Sequence, residues 1–177
     1  VFVDTLTGRN PMDVKYKVEK ILVPIDFSDT SRKAFYVALK IGRQYDADVT
    51  VLHVMEPIAS FFSGEDMDRQ ADQMTRVEEG VRRRVNELYE AGGLAEVDRR
   101  KVHIEIRSGK AYLEILRASW EKKVDLIVMG SHGYTGVKHM LIGSQTDKVV
   151  RRAHCMVLTI KPDNFEVESD VTGIHKA

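Results

Sequence analysis

Five short apolar runs, the first four each followed by a stretch of helical period, restrict this chain to a narrow set of folds. Ile21-Leu22-Val23-Pro24-Ile25-Asp26 is a run of the kind buried on both faces of a parallel sheet. Pro24 has no N–H, so the ladder is expected to end or distort there, with Asp26 lifted out at the carboxyl end. Val49-Thr50-Val51-Leu52-His53-Val54 is rich in β-branched residues, and Val102-His103-Ile104-Glu105-Ile106 alternates as a half-exposed edge strand does. Leu126 to Met129 and Cys155-Met156-Val157-Leu158-Thr159-Ile160 complete the set. Between them, Ser28 to Ser31 offer helix caps ahead of Ala34, Phe35, Ala38, Leu39 and Ile41. A long second helix carries Met67, Ala71, Met74, Val77, Val81, Val85 and Leu88 and stops at Ala91-Gly92-Gly93. A third carries Leu113, Leu116 and Trp120, and a fourth runs from Ser144 to about Arg152. Strands alternating with helices imply an α/β fold, a doubly wound open five-stranded parallel sheet with helices on both faces. With the common order 3-2-1-4-5, strand order reverses between the first and fourth strands, and ligands of such sheets sit at the carboxyl ends beside that reversal.

A glycine pattern falls at that place. Asp125-Leu126-Ile127-Val128-Met129 runs into Gly130-Ser131-His132-Gly133, and nine residues later comes Gly143-Ser144-Gln145-Thr146. Glycines let backbone N–H groups approach an anion, and the first turn of a helix offers N–H groups without intrahelical acceptors at the positive end of its dipole. The arrangement suits phosphate, and with Asp26 brought alongside it suits a nucleotide. Each part has a plainer reading. Ser144 and Asp147 have capping-box spacing, so the segment could be a well-capped turn, and Asp26 could simply cap the turn after its strand. On the binding reading, a bulky residue at 130 or 143 is expected to weaken binding and spare folding.

The remaining chain excludes more than it suggests. A length of 177 residues is one domain's worth, with 43% apolar and 31% charged residues. Residues 1–17 read as an N-terminal extension, 18–161 as the domain and 162–177 as a polar tail. Lys plus Arg equals Asp plus Glu at 27 each, which leaves no net field to recruit nucleic acid or an anionic membrane. One cysteine, Cys155, cannot pair internally, no charged-then-apolar leader opens the chain, and no apolar run approaches the ~18 residues that span a bilayer. These features suggest a soluble cytoplasmic protein. His132 is expected to serve loop geometry and not as a general base, His53 to be a satisfied core or rim histidine, and Arg82-Arg83-Arg84 to be a solvated face. Neither His-Glu-x-x-His nor Gly-x-Ser-x-Gly occurs, so a protein-built metal site and a hydrolase nucleophile elbow are both unsupported. The role of loop 56–66, with Phe61 and Phe62, stays open.

From Lys20 to Lys161 the chain resembles the ATP-binding branch of the universal stress protein family. The likeness rests on Ile21 to Ser28, on Val51-Leu52-His53-Val54, and on Asp125 to Gly133. The family's signature of Gly, two residues, Gly, nine residues, Gly, then Ser or Thr is matched at 130, 133, 143 and 144. The resemblance implies the adenine nucleotide alpha hydrolase-like fold and a homodimer formed through the fifth strand, here 155–160. It also implies ATP held at Pro24, Ile25, Asp26 and Val54 for adenine and ribose, Met129, Gly130, His132 and Gly133 along the ribose and phosphate path, and Gly143, Ser144, Gln145 and Thr146 for the phosphates. Mg²⁺ would arrive on phosphate oxygens and water. The function so implied is a cytoplasmic regulator of stress adaptation with slow or no hydrolysis, acting on a protein partner that the sequence does not identify. An ATPase or nucleotidyl-transferring enzyme, and a partner-binding domain without nucleotide, stay open beside it. No lysine follows the glycines as in a Walker loop, which argues against efficient turnover.

Overall fold

The computed structural model describes residues 17–55, 67–93, 99–131 and 143–162. His132, Gly133, loop 56–66 and both tails lie outside the described residues. In chain order the elements are β1 (Lys20–Pro24), α1 (Asp29–Tyr45), β2 (Asp48–Met55), α2 (Met67–Ala91), β3 (Val102–Ser108), α3 (Ala111–Glu121), β4 (Leu126–Gly130), α4 (Ser144–Arg152) and β5 (Met156–Ile160). The five strands form one sheet in the order β3-β2-β1-β4-β5, every neighbouring pair parallel, as the alternation of elements predicts.

The periods of the sequence explain the layers. β1 and β4 are apolar at nearly every position because both their faces are covered, and Leu22 and Ile127 are fully buried opposite each other in register. On one face Ile21, Val23, Val49, Val51 and Val128 pack with Ala34, Phe35 and Ala38 of α1 and Val81, Val85 and Tyr89 of α2. On the other, Leu22, Leu52, Ile127 and Met129 pack with Ile115 and Ala118 of α3 and Val149 of α4. Phe35 is wholly enclosed and meets the rings of Tyr36 and Tyr89 edge-on. β3 is an edge strand as expected, but its burial does not alternate: only His103 and Ser108 are exposed, while Glu105 and Arg107 are half-buried like Ile104 and Ile106.

β3 is joined to α3 by an ion cluster. Arg107 reaches Glu105 and Glu121 at 2.6 Å each, and Lys122 closes on Glu105 at 2.7 Å. Burial opposes the charge on Glu105, yet hydrogen bonds from Lys122 and Arg107 together outweigh it and hold the carboxyl below its ordinary 4.5. Between the folded and unfolded values the unfolded chain binds more protons, so this contribution is complete above about pH 4.5 and is lost as pH falls through the folded value. Urea unfolding at pH 7 and at pH 4 checks this: Glu105→Gln is expected to lose less stability than the native chain over that drop, and equal losses would refute it.

Candidate functional site

β1 and β4 are adjacent and parallel, so the turn after β1 and the loop after β4 leave the sheet side by side at the strand-order reversal. Pro24 is the last residue of β1, still aligned with Leu52, and Ile25 follows with its N–H donating to Leu52 O at 2.8 Å. Asp26 is exposed at the carboxyl end. Its Oδ1 accepts from the Ser28 N–H at 3.0 Å and the Ser28 hydroxyl at 2.6 Å. Ser28 is the N-cap of α1 and accepts from the Ser31 N–H. The turn-capping role of Asp26 is therefore present in the geometry, in a side chain that is also exposed.

At the other side of the crevice, Gly130 sits hard against the first turn of α1. A Cβ on residue 130 would lie 2.7 Å from Thr30 Oγ1 and 3.1 Å from the Ser31 nitrogen. Glycine is needed here so that β4 can touch α1, which corrects the expectation that a side chain at 130 would spare the fold. Hydrogen bonds tie the ends of β4 and β5 to the start of α4. The Gly143 N–H donates to Ser131 O at 2.7 Å, the Thr146 hydroxyl donates to Gly130 O at 2.9 Å, and the Ser131 N–H donates to Ile160 O at 2.8 Å. The amino end of α4 is thus laced to the carboxyl ends of β4 and β5.

The expected capping box is not formed. Gly143 occupies the N-cap with φ −65° and ψ 150°, and it makes no side-chain cap bond because it has no side chain. Ser144 is the first helical residue, while Asp147 pairs with Arg151 at 2.8 Å. The hydroxyl–carbonyl bond of Thr146 does the anchoring that a serine cap was expected to do. Gln145 also turns inward, its Oε1 accepting from the Tyr112 N–H at the start of α3, and Lys148 lies 4.8 Å above the Tyr112 ring.

Pro24, Ile25 and Asp26 at the end of β1, Gly130 at the end of β4, and Gly143, Ser144, Gln145 and Thr146 at the start of α4 thus lie on three elements that leave the same end of the sheet. Val54 packs against the core on the α3 side near the carboxyl end of β2, and Met129, 5% exposed, and Ile25, 3% exposed, are core side chains. Only their backbones can meet a ligand. Tyr112, whose N–H meets Gln145, lies in no motif of the sequence, whereas Thr30 falls among the cap candidates 28–31 and Ser131 within the motif 130–133. His53 bonds Ile25 O through Nδ1 at 2.8 Å, the satisfied rim histidine expected of it. At the far end of the sheet, burial and the nearby Asp125 carboxylate push the Cys155 thiol above its ordinary pKa, consistent with an inert residue.

A doubly wound α/β domain whose strand order reverses between β1 and β4 belongs to a class of folds that take ligands at the carboxyl ends of those strands. Within that class the chain belongs to the universal stress protein family, whose profile matches residues 17–161. Universal stress protein MJ0531 of Methanocaldococcus jannaschii is 34% identical over 152 residues, covering 84% of this chain and 85% of its own. Universal stress protein UspA from Lactobacillus plantarum superposes with a TM-score of 0.64 at 25% identity, over 81% of this chain and 98% of that one. A universal stress protein solved in complex with cAMP shares the fold, with a TM-score of 0.60 at 21% identity over 81% and 97% of the two chains. Among the described residues no helix is long and apolar enough to cross a membrane.

Proposed function

We propose that this protein binds ATP in the crevice between the β1–α1 turn and the amino end of α4, and that it acts as a cytoplasmic regulatory homodimer in stress adaptation. One observation carries the reading: hydrogen bonds from Gly143 to Ser131 O and from Thr146 to Gly130 O fold the amino end of α4 onto the end of β4, the parallel neighbour of β1, after which the exposed Asp26 follows. The first-turn amides of Ser144, Gln145 and Thr146 come before Asp147, the first whose N–H has an intrahelical acceptor, Gly143 O, so a polyphosphate there would meet N–H donors at the positive end of the helix. Asp26 and the backbones of Pro24, Ile25 and Val54 would take adenine and ribose, with Met129, Gly130, His132 and Gly133 along the path between. Thr146 would contribute its amide, because its one hydroxyl proton is already given to Gly130. Among the described residues no three His, Cys, Asp or Glu side chains cluster to hold a metal. Mg²⁺ would accordingly be carried by phosphate oxygens and water. The relative crystallised with cAMP supports an adenine nucleotide as ligand class.

Denaturing freshly purified protein and chromatographing the supernatant tests this. Released adenine nucleotide, or a rise in unfolding temperature on adding Mg-ATP, is expected; neither would refute the reading. Turnover well above background in pure protein would replace the regulator with an enzyme of the same fold.

The dimer would form through β5. β4 pairs one side of this strand, and on its surface Met156 and Leu158 are 40% and 37% exposed, with no charge or proline in 156–160 to deter pairing. Sedimentation of Leu158→Glu is expected to show a monomer where the native chain sediments as a dimer. An unaltered profile would reject pairing through this strand.

A further inference from the structure

Among the described residues, three other than glycine hold left-handed backbone: Asp46 at φ 57°, Lys123 at φ 54° and Phe27 at φ 64°. Asp46 is the C-cap of α1 and Lys123 follows the C-cap of α3, places where helices routinely end in this conformation. Phe27 ends no helix. It lies between β1 and α1, and a bulky side chain there is a true outlier that persists only where its surroundings over-determine it.

We propose that Phe27 is a positioning residue for the nucleotide turn, clamped by His53 and by Arg84 of α2 so that Asp26 faces the crevice. The proposal rests on the nucleotide reading above. The clamp has three parts. The Phe27 ring is 4% exposed and packs into the core on the α1 and α2 side. Its centroid lies 5.4 Å from the His53 ring, and the Arg84 guanidinium carbon stands 3.9 Å over its face. His53 also donates from Nδ1 to Ile25 O, since a carbonyl can only accept, so the same imidazole fixes the backbone before the turn and packs on the ring within it. After the turn, the Ser28 N–H is held by Asp26 Oδ1.

With residues 25 and 28 fixed, Phe27 turned inward puts Asp26 outward. Releasing the ring lets residue 27 relax to a negative φ, which breaks the Asp26–Ser28 bonds and swings the carboxylate away. Arg84 thereby separates from the solvated run 82–84: its neighbour Arg83 pairs only loosely with Glu87, at 4.0 Å, whereas Arg84 covers the turn that holds Asp26. Helix α2 gains a route to the crevice without touching the ligand.

The test measures Mg-ATP affinity at 25 °C by calorimetry in the native chain, Phe27→Leu, Arg84→Gln, Asp26→Ala and the double variant Asp26→Ala with Phe27→Leu. Phe27→Leu keeps apolar volume and is expected to weaken binding about tenfold, and Arg84→Gln about two- to fivefold, the range of a partly exposed cation–π contact. In the Asp26→Ala background, Phe27→Leu is expected to cost nothing further, which a merely destabilising change would not reproduce. Native affinity in Phe27→Leu, or independent losses in the double variant, would overturn the clamp. If the native chain binds no Mg-ATP, the nucleotide reading fails, and the clamp is decided by hydrogen exchange. The Ser28 and Arg32 amides should then exchange faster in Arg84→Gln than in the native chain, and unchanged rates would overturn it.

Discussion

Gly130→Ala is expected to lower the stability of the protein by about 1–3 kcal/mol, the cost of forcing extra volume into a well-packed contact. The added carbon would lie 2.7 Å from Thr30 Oγ1, 3.0 Å from Thr30 Cβ and 3.1 Å from the Ser31 nitrogen. Two of these three neighbours are fixed by the helix backbone itself, so α1 has to move away from β4 as a body. The separation also strains the Thr146 bond to Gly130 O, which is buried and has no water to replace it. Urea unfolding measures the loss. Thr30→Ala removes the nearest obstructing atom, so the double variant should recover part of the stability, and purely additive effects would show that the contact is not the cause. A Gly130→Ala protein as stable as the native one would remove the close approach of β4 and α1 from the account.

Ser144→Pro is expected to keep the fold and to weaken Mg-ATP binding at least tenfold. Residue 144 is the first of α4, where proline is favoured because its missing N–H has no intrahelical acceptor to lose. Gly143, at φ −65° and ψ 150°, already has the extended backbone that a following proline requires. The substitution therefore deletes one backbone donor with little disturbance. A hydrogen bond to a charged phosphate contributes about 1.5–3 kcal/mol, which corresponds to tenfold or more in affinity. Ser144→Ala removes the hydroxyl and keeps the N–H, so it should bind nearly as the native chain does. Calorimetry on the pair decides the matter: equal affinity in Ser144→Pro and Ser144→Ala would place the phosphates elsewhere.

Glycine does different work at signature positions 130 and 143. At 143 the backbone angles are open to any residue, so glycine is not required by conformation, and its place in the signature is consistent with close approach to a ligand. At 130 glycine is required by the protein's own helix. Sequence spacing treats the two alike, because spacing records where a side chain is absent and not which neighbour its absence admits.

The same division holds across the molecule. The periods of the runs, apolar in β1 and β4 and alternating in the sequence of β3, were enough to predict element order, a parallel sheet and helices on both faces, because burial leaves a local signature in each strand; the order of the strands, taken as the common one for such sheets, is the one observed. That the carboxyl ends of β1 and β4, with Asp26 and Gly130, lie side by side was also legible, since it follows from topology alone. The bonds that fix the site were not. Capping-box spacing pointed to Ser144 and Asp147, yet the structure caps with Gly143 and anchors with Thr146, because the nearest buried acceptor is a carbonyl sixteen positions away in sequence. Arg84, one of three arginines alike in sequence, is set apart only by lying over Phe27. Local sequence determined which segments became strands and helices and where their ends would converge, because those depend on side-chain period and burial. Only the tertiary structure decided which atom meets which across the crevice, because a hydrogen bond or a ring contact depends on distances that no spacing along the chain encodes.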